Sequence, residues 1–231
     1  IDMTLKTLKA FGITVKETES GWSIPGGQKY HGPRMRYAEG DWSNAAFWLV
    51  AGAIGGSIGC QGLDMESPQG DRAIAALLEE FGAETKVALN QITATHKEMK
   101  GIRIDASQIP DLVPILCVAA AAAEGKTEIY NAGRLRMKES DRLAVMAECM
   151  QKIGVEVEER PDSIIITGGC NPPEGEIVID SHNDHRIVMA MAIAAVSLGV
   201  ELTILGAEAV NKSYPSFFIE LAKLGGVTNV L

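Results

Sequence analysis

Aromatic residues are scarce in this sequence, at 5% of 231 positions, although 46% are hydrophobic. The core must therefore be aliphatic, built from Ala, Ile, Leu, Val and Met. Cations are also scarce, with 21 Lys+Arg against 30 Asp+Glu and a net charge of −9. Binding a phosphate backbone needs a basic face, so no nucleic-acid partner is expected. A small phosphorylated ligand held by a few local cations stays open. None of the four cysteines, Cys60, Cys117, Cys149 and Cys170, sits in a CxxC pair, and Cys117 and Cys149 fall in apolar helical patterns. Reduced, buried thiols and a cytoplasmic location are expected. The longest apolar run, Leu112 to Ala123, contains Pro114 and is too short to span a bilayer; no signal peptide precedes it, and no membrane contact is expected. His31, His96 and His182 lack metal-ligand spacing, so no metal is expected. Gly26-Gly27 and Gly168-Gly169 read as hairpin-like turns; with no GxGxxG or P-loop, no cofactor is expected either.

A repeat organises the chain. A helix ends in an apolar-Gly step and a β-like run follows, at Phe11-Gly12 before Ile13-Thr14-Val15, Phe81-Gly82 before Thr85-Lys86-Val87, Ile153-Gly154 before Val155-Glu156-Val157, and Leu224-Gly225 before Val227. The glycines are 70, 72 and 71 residues apart, and Gly at a helix C′ position supplies the left-handed turn. An offset set of Ala-rich helices closes at Gly55-Gly56, Gly125 and Gly199, ahead of strand-like runs at Ser57 to Gly62, Thr127 to Tyr130 and Glu201 to Leu205. Each repeat thus holds two helices and several strands. The first helix (Ser43–Ala53, Leu112–Ala123, His185–Ser197) is nearly all apolar and should be buried. The second (Gly70–Phe81, Lys138–Ile153, Pro215–Leu224) is amphipathic. Three complete copies are expected over residues 40–231, and 1–39 reads as the tail of a fourth. The start at Ile1 without Met suggests a piece of a longer protein, and Trp22 to Tyr37 are expected to pack loosely or against a neighbouring chain. Repetition alone would also suit a solenoid scaffold without chemistry.

Charged residues cluster at the expected helix starts. In Lys138-Glu139-Ser140-Asp141-Arg142, Lys138 and Arg142 are four apart and would share one helix face. A solvated surface helix also carries mixed charge. However, Arg134 and Arg136 bring the cations to four within nine residues, and cations in a first turn oppose the helix dipole unless an anion lies between them. In Asn183-Asp184-His185-Arg186, Asn183 or Asp184 suits an N-cap, and His185 and Arg186 open a wholly apolar helix. That arrangement fits a cleft or interface, or a capped helix with incidental charge. Asp111 after Ile109-Pro110 reads as an N-cap, or as a rigid carboxylate able to take a proton from a hydroxyl. Lys212, in Asn211-Lys212-Ser213-Tyr214-Pro215, is an ordinary lysine in isolation, yet it lies at nearly the same repeat position as Lys138.

Together these segments resemble the C-terminal half of the 5-enolpyruvylshikimate-3-phosphate synthase family. KESDR, NDHR, NKSYP, Ile109-Pro110-Asp111 and Glu39-Gly40-Asp41 occur in the family's order over essentially the whole chain. The resemblance implies an α/β fold, an enolpyruvyl-transferase-type domain of three βαβαββ repeats with buried central helices. Residues 40–231 would be the C-terminal domain and 1–39 the end of a missing N-terminal domain, with substrates bound between the two. The implied reaction moves the enolpyruvyl group of phosphoenolpyruvate to the 5-hydroxyl of shikimate 3-phosphate, without a cofactor, in a monomer that is the target of glyphosate. By resemblance, Asp111 accepts the hydroxyl proton, and Glu139, with Lys212 close by, handles the proton at the methylene carbon. Arg142, Arg186 and Lys212 hold the phosphate and carboxylate of phosphoenolpyruvate, His185 flanks them, and Lys138 contacts shikimate 3-phosphate. Some members carry Asn where this chain has Arg134, which is left without a role. Half a cleft should be inactive or nearly so. The UDP-N-acetylglucosamine enolpyruvyl transferases, which share fold and chemistry, and a non-catalytic anion-binding module are the competing readings.

Overall fold

The three Ala-rich segments fold as helices packed on one another, because no face of them is polar enough to meet water. The computed structural model describes residues 1–32 and 38–229. The helices are α2 (Trp42–Gly55), α4 (Val113–Ala122) and α6 (His185–Leu198), and each touches the other two. Val113 to Ala121 and His185 to Ala194 are buried without a break. Pro114 lies in the first turn of α4, where a missing N–H costs nothing. Each fully buried Leu, Ile or Val here contributes about 1.5–3 kcal/mol.

The remaining elements surround this centre. At the N-terminus, α1 (Asp2–Ala10) precedes a hairpin of β1 (Lys16–Thr18) and β2 (Gly21–Ser23). β3 (Ser57–Gln61), α3 (Ile74–Phe81), β4 (Glu84–Ala88) and β5 (Gln91–Thr95) follow α2, and the three strands pair antiparallel in the order β3-β5-β4. Next come β6 (Arg103–Asp105), β7 (Lys126–Tyr130), α5 (Arg142–Lys152), β8 (Glu156–Arg160) and β9 (Ser163–Thr167). Their sheet runs β6-β7-β9-β8, with β6 and β7 parallel. Its register aligns Ile104 with Ile129 and Ile129 with Ile164, a buried isoleucine row behind α4. The last unit has β10 (Val178–Asp180) parallel to β11 (Thr203–Leu205), and α7 (Phe217–Lys223). Short 3-10 turns at Gly70–Ala73, Pro110–Leu112, Gly133–Met137 and Ala207–Lys212 lead into or between helices.

The repeat glycines behave as their spacing predicts. Gly12, Gly82, Gly154 and Gly225 all have φ between 77° and 109°. At Gly154 a Cβ would also lie 1.8 Å from the Asn171 carbonyl.

Several expectations need correction. Only the middle copy, β6 to β9, shows all six elements. Among the described residues the first has no strand before α2 and the third ends after α7. Residues 226–229 form no strand and Val227 is exposed, because among the described residues no strand lies beside them to take up their backbone groups. Gly168-Gly169 is not a hairpin turn: Gly168 N–H bonds the Gly125 carbonyl and Gly169 N–H that of Ala121. The second helices begin later than expected, at Ile74, Arg142 and Phe217. The N-terminal segment packs lightly: α1 has no buried residue, Trp22 is half exposed, and Lys6 reaches Asp64 at 3.0 Å. Residues 33–37 of the stretch ending at Tyr37 lie outside the described residues. Among those described, no helix is long and apolar enough to cross a membrane.

Candidate active site

Two carboxylates and one arginine organise the polar end of the helix cluster. Pro110 has no N–H to give, so the chain enters α4 through a 3-10 turn that carries Asp111. Asp111 is not the N-cap; that position is Leu112, without a side-chain cap. The Asp111 carboxylate turns instead to three cations: Arg142 Nη1 at 2.8 Å, Lys138 Nζ at 3.3 Å and Arg186 Nη2 at 3.3 Å. Arg186 also donates to the Asp111 carbonyl at 3.3 Å. Burial acts to raise the Asp111 pKa, but Arg186, Lys138 and Arg142 outweigh it and hold the group below the usual carboxylate range.

Arg142 is only 1% exposed, and carboxylates surround it. Nε donates to Asp184 Oδ2 at 2.7 Å, Nη2 to Asp184 Oδ1 at 3.3 Å and Glu139 Oε2 at 2.6 Å, and Nη1 to Asp111. Lys138 and Arg142 do not share a helix face. Lys138 is extended at the end of the 3-10 turn Gly133–Met137, Asp141 caps α5, and Arg142 is its first residue. The two cations meet at Asp111 all the same. Nor does a ligand anion have to offset the cations at the helix starts, because internal carboxylates do so. Lys138, Arg142 and Arg186 face Asp111, Glu139 and Asp184, three charges of each sign.

Asp184 is the residue whose weight the sequence hides. Read as a helix cap, it is fully buried and does cap α6, accepting from Arg186 N at 3.0 Å. It also accepts from Ser140 Oγ at 3.0 Å and from Arg142. Burial pushes its pKa up, but the hydrogen bond and charge of Arg142 prevail and lower it. His182 and Asn183, just before it, adopt φ of 49° and 56°, a left-handed pair of the strained kind that collects at functional sites. The Asn183 carbonyl accepts from Lys212 Nζ. Lys212 ends the 3-10 turn Ala207–Lys212 as Lys138 follows Gly133–Met137, so the repeat correspondence holds in space. Lys212 thus reaches the α6 start but makes no ion pair with the three carboxylates among the described residues. His185 is 7% exposed, and its Nδ1 finds no hydrogen-bond partner among the described residues. Burial first, then Arg186, pushes its pKa below the usual histidine value. Arg134 is exposed and joins none of these contacts.

A further acid borders the cluster. Asp71 is buried and accepts from Ser43 Oγ, at the start of α2, at 2.5 Å. Gly70 brings it there, since a Cβ at Gly70 would lie 2.8 Å from the Gln108 carbonyl, just before Ile109-Pro110-Asp111. Burial pushes the Asp71 pKa up against the Ser43 hydrogen bond, and the negative Asp111 adds to the rise. No sequence motif marked this pair. No group of three or more His, Cys, Asp or Glu among the described residues could hold a metal ion.

The architecture places the chain among enolpyruvyl-transferase folds. It superposes on the enolpyruvyl transferase NikO from Streptomyces tendae with a TM-score of 0.74 over 96% of this chain, at 19% identity, a likeness of fold alone. The EPSP synthase of Acinetobacter baumannii gives a TM-score of 0.78 at 33% identity, over 97% of this chain and 54% of that one. The family model "EPSP synthase (3-phosphoshikimate 1-carboxyvinyltransferase)" matches residues 1–221. Relatives named 3-phosphoshikimate 1-carboxyvinyltransferase are 47% identical in Clostridium acetobutylicum and 41% in Halobacterium salinarum, over 98% and 99% of this chain. The chain belongs to the EPSP synthase family, and it spans about half the length of those relatives, 52% and 54%.

Proposed function

We propose that this chain supplies half of the site at which the enolpyruvyl group of phosphoenolpyruvate passes to the 5-hydroxyl of shikimate 3-phosphate. The observation that carries the reading is the Asp111 carboxylate held between Lys138, Arg142 and Arg186, with Glu139 on the far side of Arg142. The partner is the other half of the same protein, which closes the cleft and adds further cations. The whole is a cytoplasmic monomer, in keeping with four free thiols.

The chemistry follows from the charges. The hydroxyl oxygen attacks C2 of phosphoenolpyruvate while Asp111 takes its proton and C3 gains one from Glu139, giving a tetrahedral adduct. Loss of that C3 proton, with Lys212 as the second proton-transfer group, expels phosphate and forms the enol ether. Fixed guanidinium groups suit the planar carboxylate and the phosphate, and preorganised charge of this kind is the larger catalytic contribution. Before substrate binds, three cations make Asp111 a poor base. Phosphate and carboxylate groups that take up Lys138, Arg142 and Arg186 relieve it, so Asp111 becomes more basic once the substrates are in place. Glu139 is the most exposed of the carboxylates on Arg142 and is the one an incoming anion displaces.

The test is the full-length protein with Asp111→Asn or Glu139→Gln. Each should lower kcat by about 10²–10⁴-fold, the usual contribution of a positioned acid or base, with substrate affinity largely kept. Wild-type turnover in both variants would remove Asp111 and Glu139 from the chemistry, and no turnover by the parent full-length protein would mean an anion-binding module instead.

A further inference from the structure

The segment that carries Lys138 and Glu139 has almost no backbone framework of its own. Between the 3-10 turn and α5, the backbone bonds are Lys138 N to Leu135 O at 3.3 Å and Arg142 N to Ser140 O at 2.9 Å. Its shape is set by side chains at its two ends. On the inner side, Ser140 is tied to Asp184. On the outer side stands Arg136, a residue to which neither the repeat nor the site chemistry gives a role. Its guanidinium donates from Nη1 to both Asp141 oxygens at 3.0 and 3.3 Å, from Nε to Pro161 O at 2.9 Å, and from Nη2 to Arg160 O at 2.8 Å. Glu159 Oε1 also pairs with Nη2 at 2.8 Å. The same β8–β9 turn takes the start of the segment, since Asp162 accepts Gly133 N at 2.5 Å through its side chain and Ala132 N at 2.9 Å through its carbonyl.

We propose that Arg136 is a positioning residue that fastens the 137–140 arc to the tip of the β8–β9 hairpin, so that Lys138 and Glu139 point inward at Asp111 and Arg142. Arg136 holds residue 141 to residue 136 and both to residues 160–161, and the arc between them can only bow towards the cleft. Lys138 and Glu139, on flexible side chains, then need little ordering when substrate arrives. The catalytic part of this inference rests on the proposed activity. The geometric part does not.

The test separates the two. Amide hydrogen exchange is measured on this chain with Arg136→Gln and Arg136→Lys, and steady-state turnover on the full-length protein carrying the same changes. Glu159→Gln, which removes one partner and leaves both carbonyl bonds and Asp141, is the control. Arg136→Gln should raise exchange about tenfold at the Lys138 and Arg142 amides, which hold the segment's backbone bonds, while the rest of α5 and β9 keep theirs, and should lower kcat per folded molecule by about 10²-fold with either KM changed less than about threefold. Arg136→Lys, which lacks the planar fork, should fall between, and Glu159→Gln should match the parent. Unchanged exchange at the Lys138 and Arg142 amides, exchange rising equally through α5 and the hairpin, or unchanged kcat per folded molecule would each overturn the proposal. If the parent full-length protein shows no turnover, the activity reading fails, and the exchange measurement alone decides whether Arg136 positions the arc.

Discussion

Replacing Asp184 should cost more stability than any other single polar change in the cluster. It is fully buried beside an Arg142 that is itself 1% exposed. Removing one partner of a buried ion pair costs about 3–5 kcal/mol, because the other charge is left without compensation. Arg142 keeps Asp111 and Glu139, both partly exposed, which lowers the expected loss to about 3 kcal/mol for Asp184→Asn. Asn retains a capping oxygen for Arg186 N, so the α6 cap survives in that variant. Asp184→Ala also loses the cap, about 1 kcal/mol, and the Ser140 hydrogen bond, about 1 kcal/mol, for a total of about 5 kcal/mol. Urea unfolding of the chain at pH 7.5 reads both. With a slope of about 2–3 kcal/mol/M, the midpoint should fall by about 1–1.5 M for Asn and about 2 M for Ala. In an Arg142→Met background the Asn change should cost under about 1 kcal/mol, since no buried charge then waits for a partner. A loss below about 1 kcal/mol for Asp184→Asn in the parent chain, or an equal loss in the Met background, would refute the buried-pair argument.

Three other outcomes follow from the same structure. Glu139→Ala should bind inorganic phosphate about fivefold more tightly than the parent, about 1 kcal/mol, because Arg142 Nη2 loses its internal competitor; titration calorimetry showing equal or weaker binding would oppose this. Gly154→Ala should destabilise by about 3 kcal/mol or more, combining a left-handed backbone with a Cβ 1.8 Å from the Asn171 carbonyl, whereas Gly199→Ala, left-handed but facing open space, should cost only about 1 kcal/mol; equal thermal shifts in the two would contradict the repeat geometry. For His185 the folded pKa is depressed, so the unfolded chain binds the proton first as pH falls. Its share of the stability is therefore intact above the unfolded pKa, about 6.5, and is lost as pH drops below that value towards the folded pKa. Unfolding of His185→Gln and parent between pH 5 and 8 should show a steeper decline for the parent; parallel curves would mean His185 titrates as in the open chain.

Much of the framework was legible because it rests on local rules. Glycines 12, 82, 154 and 225 were readable as helix ends, since only a left-handed position there calls for Gly. The continuous apolar runs of α4 and α6 could not be stable anywhere but in a core. The cluster of Lys138, Glu139, Arg142, Asp111 and Arg186 was readable as a constellation, but not its internal bonding. Spacing placed Lys138 and Arg142 on one helix face, whereas the N-cap at Asp141 ends the irregular segment and leaves Lys138 outside the helix in an extended conformation. Asp184 was visible only as a cap, because its second task depends on Arg142, 42 residues earlier. Asp71 with Ser43, and Arg136 with the β8–β9 turn, are tertiary contacts between residues of ordinary local character, and no periodicity marks them. The β-like run expected beyond Gly225 failed for a related reason, since strand formation depends on a neighbour and not on local propensity.

The central claim is that this cluster is one wall of a working enolpyruvyl-transfer site. Its most direct test is phosphate release from phosphoenolpyruvate, dependent on shikimate 3-phosphate, by this chain mixed with a separately produced N-terminal half of the protein. Release by the mixture, by neither half alone, and lost with Asp111→Asn is the predicted result. No release by the mixture, together with none by the intact protein in the same assay, would contradict it.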